Sequence, residues 1–237
     1  MVVSDQLSNA HPYLIIDATG LNCEVVAIVC NDKGILAFGF AQYESSVLWM
    51  EILGRFKPPS AIVSDGQKGI LKAVSNLWGD LTIQRCHFHV KQNIRTKLTN
   101  NPESLAGQEL KWLVSFMSQV ESEEQMVIFV AIFYGLHEYH RSFLNERTVN
   151  KNSFSRHKWF YTHRRARSAY RQIADLIEKD QLFAYITHPE LNLPKTTNKV
   201  EGGINTRLKE LIRSHRGMFP ERQRHLVSEF LHSKMAS

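Results

Sequence analysis

Cysteine is scarce in this chain. Its three cysteines, Cys23, Cys30 and Cys86, are too few for a disulfide framework and suit a reducing, cytoplasmic compartment. No stretch approaches 18 uninterrupted apolar residues, so a membrane-spanning helix is not expected. Met1 to His11 is polar and lacks the apolar segment of an export signal. There is no internal repeat and no low-complexity tract. Acids are absent from Lys151 to Arg171, a stretch that carries Lys151, Arg156, Lys158, Arg164, Arg165, Arg167 and Arg171. From Lys195 onward bases again outnumber acids, whereas 103–124 is mildly acidic. The remainder is ordinary: 237 residues, 43% hydrophobic and 22% charged, enough for a real core. A net charge of +6 gathered into two basic stretches is the footprint expected of a nucleic-acid binder.

Hydrophobic patterning divides the chain into three parts. In residues 1–99, Tyr13 to Ile16 reads as a short strand ending at Asp17. Cys23 to Cys30 and Ile35 to Ala41 read as two more, joined by the turn chemistry of Asn31-Asp32-Lys33-Gly34. A helix from Ser45 to Gly54, a strand at Ala61 to Val63 delivering Asp65, and a helix from Gln67 to Leu77 follow. Next come a strand at Leu81 to Gln84 and a helix through Leu98. This order predicts an α/β fold with a mixed sheet flanked by helices. Residues 100–194 read as all-helical, in segments at about 105–120, 123–145 and 154–186. Residues 195–237 supply the last two helices.

Over 198–212, a spacing of about 100° per residue puts Val200, Ile204, Leu208, Leu211 and Ile212 on one apolar arc. Glu201 falls inside that arc. A carboxylate turned toward a core needs a cation or a firm hydrogen-bond partner. Asp17 and Asp65 each follow an apolar strand, where an α/β sheet presents functional side chains. Three carboxylates from separate elements make a candidate divalent-metal site. The structural alternatives stand beside it: Asn198-x-x-Glu201 fits a capping box, and aspartate is a common turn residue after a strand. Gly202 and Gly203 weaken the helix and leave room for a nucleic-acid backbone. Asn198, Asn205, Lys209, Arg213 and Arg216 form a polar and basic stripe along the same helix.

Cys86-His87-Phe88-His89 contains zinc-ligand residue types, but we expect a structural role, with Cys86 buried at a strand end and His89 a polar contact near the carboxylates. In Trp159-Phe160-Tyr161-Thr162-His163-Arg164-Arg165 the aromatics suit either base stacking or the insertion's own core. Arg164, Arg165 and Arg167 are expected on a phosphate-facing or solvated surface.

These segments carry a resemblance. Leu14-Ile15-Ile16-Asp17, Ile62-Val63-Ser64-Asp65-Gly66, Arg85-Cys86-His87-Phe88-His89 and Thr196 through Asn205, with Arg213-Ser214-His215-Arg216-Gly217 after them, resemble the catalytic region of a DDE transposase of the Mutator-like class of bacterial insertion sequences. The resemblance spans about Tyr13 to Gly217. It implies an RNase H-like fold interrupted by an all-helical insertion before the final glutamate. It also implies that Asp17, Asp65 and Glu201 are catalytic and hold two Mg2+ ions, for which Mn2+ can substitute. On that pattern water first frees a 3′-hydroxyl, which then attacks target DNA. Asn198, Asn205, Lys209, Arg213 and Arg216 would bind DNA, with Lys209, Arg213 and Arg216 positioning phosphates without reading sequence. The implied partners are transposon ends and target DNA, with a homo-oligomer in the active complex, no membrane, and association with the nucleoid when DNA is bound. Such transposases carry an N-terminal DNA-recognition portion. Only sixteen residues precede Asp17 here, so the sequence predicts weak, salt-sensitive DNA binding with little sequence preference. The alternatives are an RNase H-like nuclease that stops after hydrolysis, and a truncated, non-autonomous remnant that binds DNA non-specifically.

Overall fold

A computed structural model of the chain describes residues 2–3, 11–22, 24–151 and 158–235, without the side chains of Val2, Val3, Lys199 and Glu201. Cys23, Arg156 and the side chain of Glu201 therefore lie outside the described residues. The chain is mixed α/β and divides into two compact units, Met1–Cys86 with His188–Ser237, and His87–Thr187.

The first unit is built on a sheet of order β1-β4-β3-β2-β5-β6. Its strands are β1 (Val2–Val3), β2 (Tyr13–Gly20), β3 (Val25–Cys30), β4 (Ile35–Ala41), β5 (Ala61–Ser64) and β6 (Thr82–Arg85). The β-branched runs suit strands covered on both faces. β2, β3 and β4 pair antiparallel, and β5 and β6 extend the sheet parallel to β2. The β3–β4 turn forms because Asn31 Oδ1 accepts the N–H groups of Lys33 at 2.8 Å and Gly34 at 3.2 Å. Helix α1 (Ser46–Leu53) starts at Ser45, whose side chain accepts the Leu48 N–H at 3.2 Å. With α2 (Lys68–Trp78) it buries one sheet face, where Leu14, Ile16, Val29, Leu36 and Ile62 meet Trp49, Ile52, Ile70 and Val74. The last helix of this unit, Pro220–His232, follows β4: His232 packs edge-on to Phe38, and the Ile35 N–H donates to the Lys234 carbonyl at 3.0 Å. One expectation is corrected. β2 continues through Asp17 to Gly20, so Asp17 lies within a strand rather than at its end; its onward partner is β3, where it pairs with Ile28.

The second unit contains α3 (His87–Leu98), α4 (Leu105–Phe116), α5 (Glu123–Tyr139), α6 (Arg141–Asn145), β7 (Arg147–Val149), β8 (Trp159–Tyr161), α7 (Arg164–Glu178) and α8 (Ala184–Thr187). Its core includes Val90, Ile94, Leu110, Phe129, Phe133, Tyr170, Ile173 and Leu182. On α7, Ala166, Ala169, Tyr170, Ile173 and Ala174 recur at helical spacing and are buried. The all-helical expectation for 100–194 is corrected here. Arg147–Val149 and Trp159–Tyr161 pair as a two-stranded antiparallel sheet. Three-residue strands are too short to show a period of two, although Val149, Trp159, Phe160 and Tyr161 are residue types that favour strands. The helix expected over 123–145 also breaks, at His140, which is buried and bonded to Glu109. α3 packs with this unit, so the boundary by contact falls at Cys86 rather than after residue 99. No helix among the described residues is long and apolar enough to cross a membrane.

Candidate active site

Strand register brings the two aspartates together. Parallel pairing sets Leu14 beside Ile62 and Ile16 beside Ser64, and the next residue on each chain is Asp17 or Asp65. Leu14, Ile16 and Ile62 face α1 and α2, so alternation turns Asp17 to the opposite face. A carboxylate oxygen of Asp17 and one of Asp65 lie within 4.8 Å of each other. Asp17 is 1% exposed. Its Oδ1 accepts the Ala18 N–H at 3.0 Å, and its Oδ2 accepts from Asn205 Nδ2 at 3.3 Å. Asp65 Oδ1 accepts the Gln67 N–H at 2.9 Å. Two carboxylates this close repel unless a cation lies between them. Hard oxygen donors of this kind suit Mg2+ or Mn2+.

The loop under Asp65 is held by a residue to which sequence reasoning assigned no role. Arg85 Nη2 donates to the Asp65 carbonyl at 2.7 Å. Its guanidinium lies where a side chain on Gly66 would be: a Cβ there would stand 1.8 Å from Arg85 Cζ. Gly66 has φ +74°, a conformation that favours glycine. Only the lone Asp-Gly dipeptide hinted at this in the sequence.

Glu44 is a further carboxylate in the electrostatic field of Asp65. Its Oε1 accepts the indole N–H of the fully buried Trp49 at 2.9 Å. Burial raises its pKa, the Trp49 bond lowers it in part, and the charge of Asp65 raises it. A carboxyl with a raised folded pKa contributes stability that is complete below the ordinary carboxylate range and lost as pH rises through the raised value. Glu44→Gln keeps an oxygen for Trp49 and does not titrate. Its melting temperature relative to the wild type is therefore expected to improve between about pH 4 and pH 7, the window above the ordinary glutamate pKa. Thermal unfolding at the two pH values checks this.

The segment expected to be one helix over 198–212 is two elements: a π-helix over Lys199–Asn205, then α9 (Thr206–Ser214). A π-turn closes i to i+5, so the 100° projection that put Glu201 inside the apolar arc does not hold there. Val200 and Leu208 are fully buried. Asn205, expected on the polar stripe, is 3% exposed and bonded to Asp17. This corrects its assignment to the DNA-facing surface: it lies about 60° around the helix from the buried Leu208, at the edge of the buried face. The segment is moored at its start by Cys86, whose buried sulfur accepts the Thr197 N–H at 3.3 Å and its hydroxyl at 3.4 Å. In the other unit, His87 contacts the Leu182 carbonyl at 2.7 Å and packs edge-on to Phe183 and Tyr185. His89 lies in the first turn of α3. Cys86 and His87 are thus engaged in packing and hydrogen bonds.

The family model described as Transposase, Mutator family matches residues 4–142, more than half of the chain. The chain belongs to the Mutator family of transposases. No curated protein matches it. The match spans Asp17, Asp65 and Cys86 through His89 and ends before the π-helix. A transposase acts on DNA, and the polar and basic residues expected to face it divide into two groups. Asn198, Lys209, Arg213 and Arg216 are exposed. Arg147, Arg164, Arg165 and Arg167 of the second unit make internal contacts. Arg165 donates to the carbonyls of Thr96 and Lys97, each at 2.7 Å, at the end of α3. Arg167 binds Asn145 and lies 3.9 Å over the Tyr161 ring. Arg164 lies 5.1 Å over Phe160, and Arg147 lies 3.9 Å over Trp159. The aromatics of β8 thus stack on arginines of this transposase's own chain.

Proposed function

We propose that this Mutator-family chain is an RNase H-like polynucleotidyl transferase of the DDE type, which cleaves DNA and joins the freed end to a target. The observation that carries the reading is the pair of carboxylates, Asp17 and Asp65, held within 4.8 Å by adjacent parallel strands. The RNase H-like assignment is supported by the mixed sheet, an antiparallel trio extended by two parallel strands. Asp17, Asp65 and Glu201 would hold two Mg2+ ions, with Mn2+ as a substitute. Bound there, the cations would lower the pKa of the attacking group and stabilise charge on the phosphorus oxygens and the leaving oxygen.

The chain's own residues fix the geometry. The Ala18 N–H and the Asn205 amide orient the Asp17 carboxylate, and the Gln67 N–H orients that of Asp65. Arg85 holds the Asp65 backbone so that this carboxylate keeps its place beside Asp17. Glu201 stands four residues before Asn205 on the π-helix that packs against β2. Gly202 and Gly203 are exposed, and a Cβ on either would meet nothing within 4 Å. That open surface suits the close approach of a nucleic-acid backbone. Lys209, Arg213 and Arg216 would then grip phosphates without reading sequence.

A strand-transfer assay with a pre-cleaved DNA end tests the reading. Mg2+-dependent joining to a second duplex is the expected product. Hydrolysis without joining would make the chain a nuclease, and DNA binding with neither product would leave a non-catalytic binder.

A further inference from the structure

Asn205 is a buried polar side chain with one end unsatisfied among the described residues. It is 3% exposed, and its Nδ2 donates to Asp17 Oδ2 at 3.3 Å. Its Oδ1 is buried and has no hydrogen-bond partner among the described residues. Buried acceptors are nearly always satisfied, and an exception commonly marks a place for an ion or a water. Turning the amide over would not remove the orphan. It would set Oδ1 against the Asp17 carboxylate, two acceptors face to face.

The backbone explains why this oxygen is there. Asn205 closes the π-helix over Lys199–Asn205 and caps α9, about 60° around the helix from the buried Leu208. A seven-residue π-helix is rare, and such departures cluster at functional sites. The two ends of the amide match two needs of a cation site. The N–H end steadies a carboxylate, and the carbonyl end is a hard, neutral oxygen of the kind that ligates Mg2+ and Mn2+.

We propose that Asn205 Oδ1 is a ligand of the divalent cation held by Asp17, so that Asn205 belongs to the metal site and not to the DNA-binding stripe. This rests on the metal-site reading of Asp17 and Asp65 given above. A neutral ligand adds an oxygen without adding charge, which matters where carboxylates already crowd one another.

Titration of the full chain with Mn2+, followed by calorimetry without DNA, tests the assignment. Asn205→Leu is near in volume and has no oxygen; it should weaken Mn2+ binding by about tenfold or more. Asn205→Asp keeps an oxygen and loses the N–H, so it should bind Mn2+ at least as tightly as the wild type. Weakening by Asn205→Asp equal to that of Asn205→Leu would overturn the ligand role and leave Asn205 as a donor that merely positions Asp17. Unchanged affinity in Asn205→Leu would overturn any role toward the metal. Melting of the metal-free variants separates a folding defect from lost binding, and Asn205→Ala makes the same comparison should the leucine variant not fold. Asp17→Asn is the control: if wild-type Mn2+ binding does not depend on Asp17, the metal site itself is refuted, and this ligand with it.

Discussion

Asp17→Asn is expected to abolish metal-dependent cleavage and strand transfer while leaving the metal-free protein as stable as the wild type or more so. The catalytic loss follows from the geometry. Asp17 is the buried member of the carboxylate pair, and the pair is what would hold a cation. Cation-derived stabilisation of charge at phosphorus is worth several kcal/mol, or roughly three powers of ten in rate. The expected gain in stability has the same cause. A carboxylate 1% exposed and within 4.8 Å of another carboxylate carries a desolvation cost and a like-charge repulsion. The amide relieves that repulsion but keeps an oxygen for only one of the two N–H donors, Ala18 and Asn205, which offsets part of the gain. An upward shift of about 2–4 °C would correspond to roughly 1 kcal/mol in a protein of this size. Thermal unfolding without metal, set beside a Mg2+-dependent cleavage assay, checks both halves. A drop in melting temperature with proportionate loss of DNA binding would mark Asp17 as a structural residue.

What could be read from the sequence follows the range of each signal. The β3–β4 hairpin was legible because Asn31-Asp32-Lys33-Gly34 carries its own turn chemistry, and the strands themselves were legible in apolar runs such as Val25–Cys30. The nearness of Asp17 and Asp65 was legible as an expectation because both follow apolar runs. The reason for it was not, since no local pattern reveals that Ile16 pairs with Ser64. The π-helix escaped because a projection at fixed angle assumes the 3.6-residue turn it is meant to detect. The direction of Asn205 escaped as well, because on the projection it stands at the border between the apolar arc and the polar stripe, and only the structure shows it buried. The β7–β8 pairing escaped because each strand spans three residues, too few for alternation to show. Arg85 was visible in the motif and had no meaning there: its role depends on a glycine nineteen positions earlier whose missing Cβ makes room for a guanidinium.

That contact carries the second large effect. Gly66→Ala is expected to destabilise the protein by about 3 kcal/mol or more, a fall in melting temperature of about 6–12 °C. Two costs add. At φ +74° an alanine pays about 1–2 kcal/mol for the left-handed backbone alone. Its Cβ would also stand 1.8 Å from Arg85 Cζ and 2.0 Å from Nε, so the guanidinium must leave. Moving it breaks the 2.7 Å bond to the Asp65 carbonyl and removes a partly buried cation from its place. The same displacement frees the Asp65 loop, so Mg2+-dependent activity should fall more steeply than stability. Gly202→Ala is the matched control, since an added Cβ there meets nothing within 4 Å. In a helical turn the change should be neutral or stabilising by about 0.5–1 kcal/mol. If Arg85 is the obstacle, Gly66→Ala combined with Arg85→Ala should lose less than the two single substitutions together, because the clash and the broken bond are then counted once. Additive losses in that double-mutant cycle would show that the backbone at Gly66 alone sets the requirement and that Arg85 does not hold the loop.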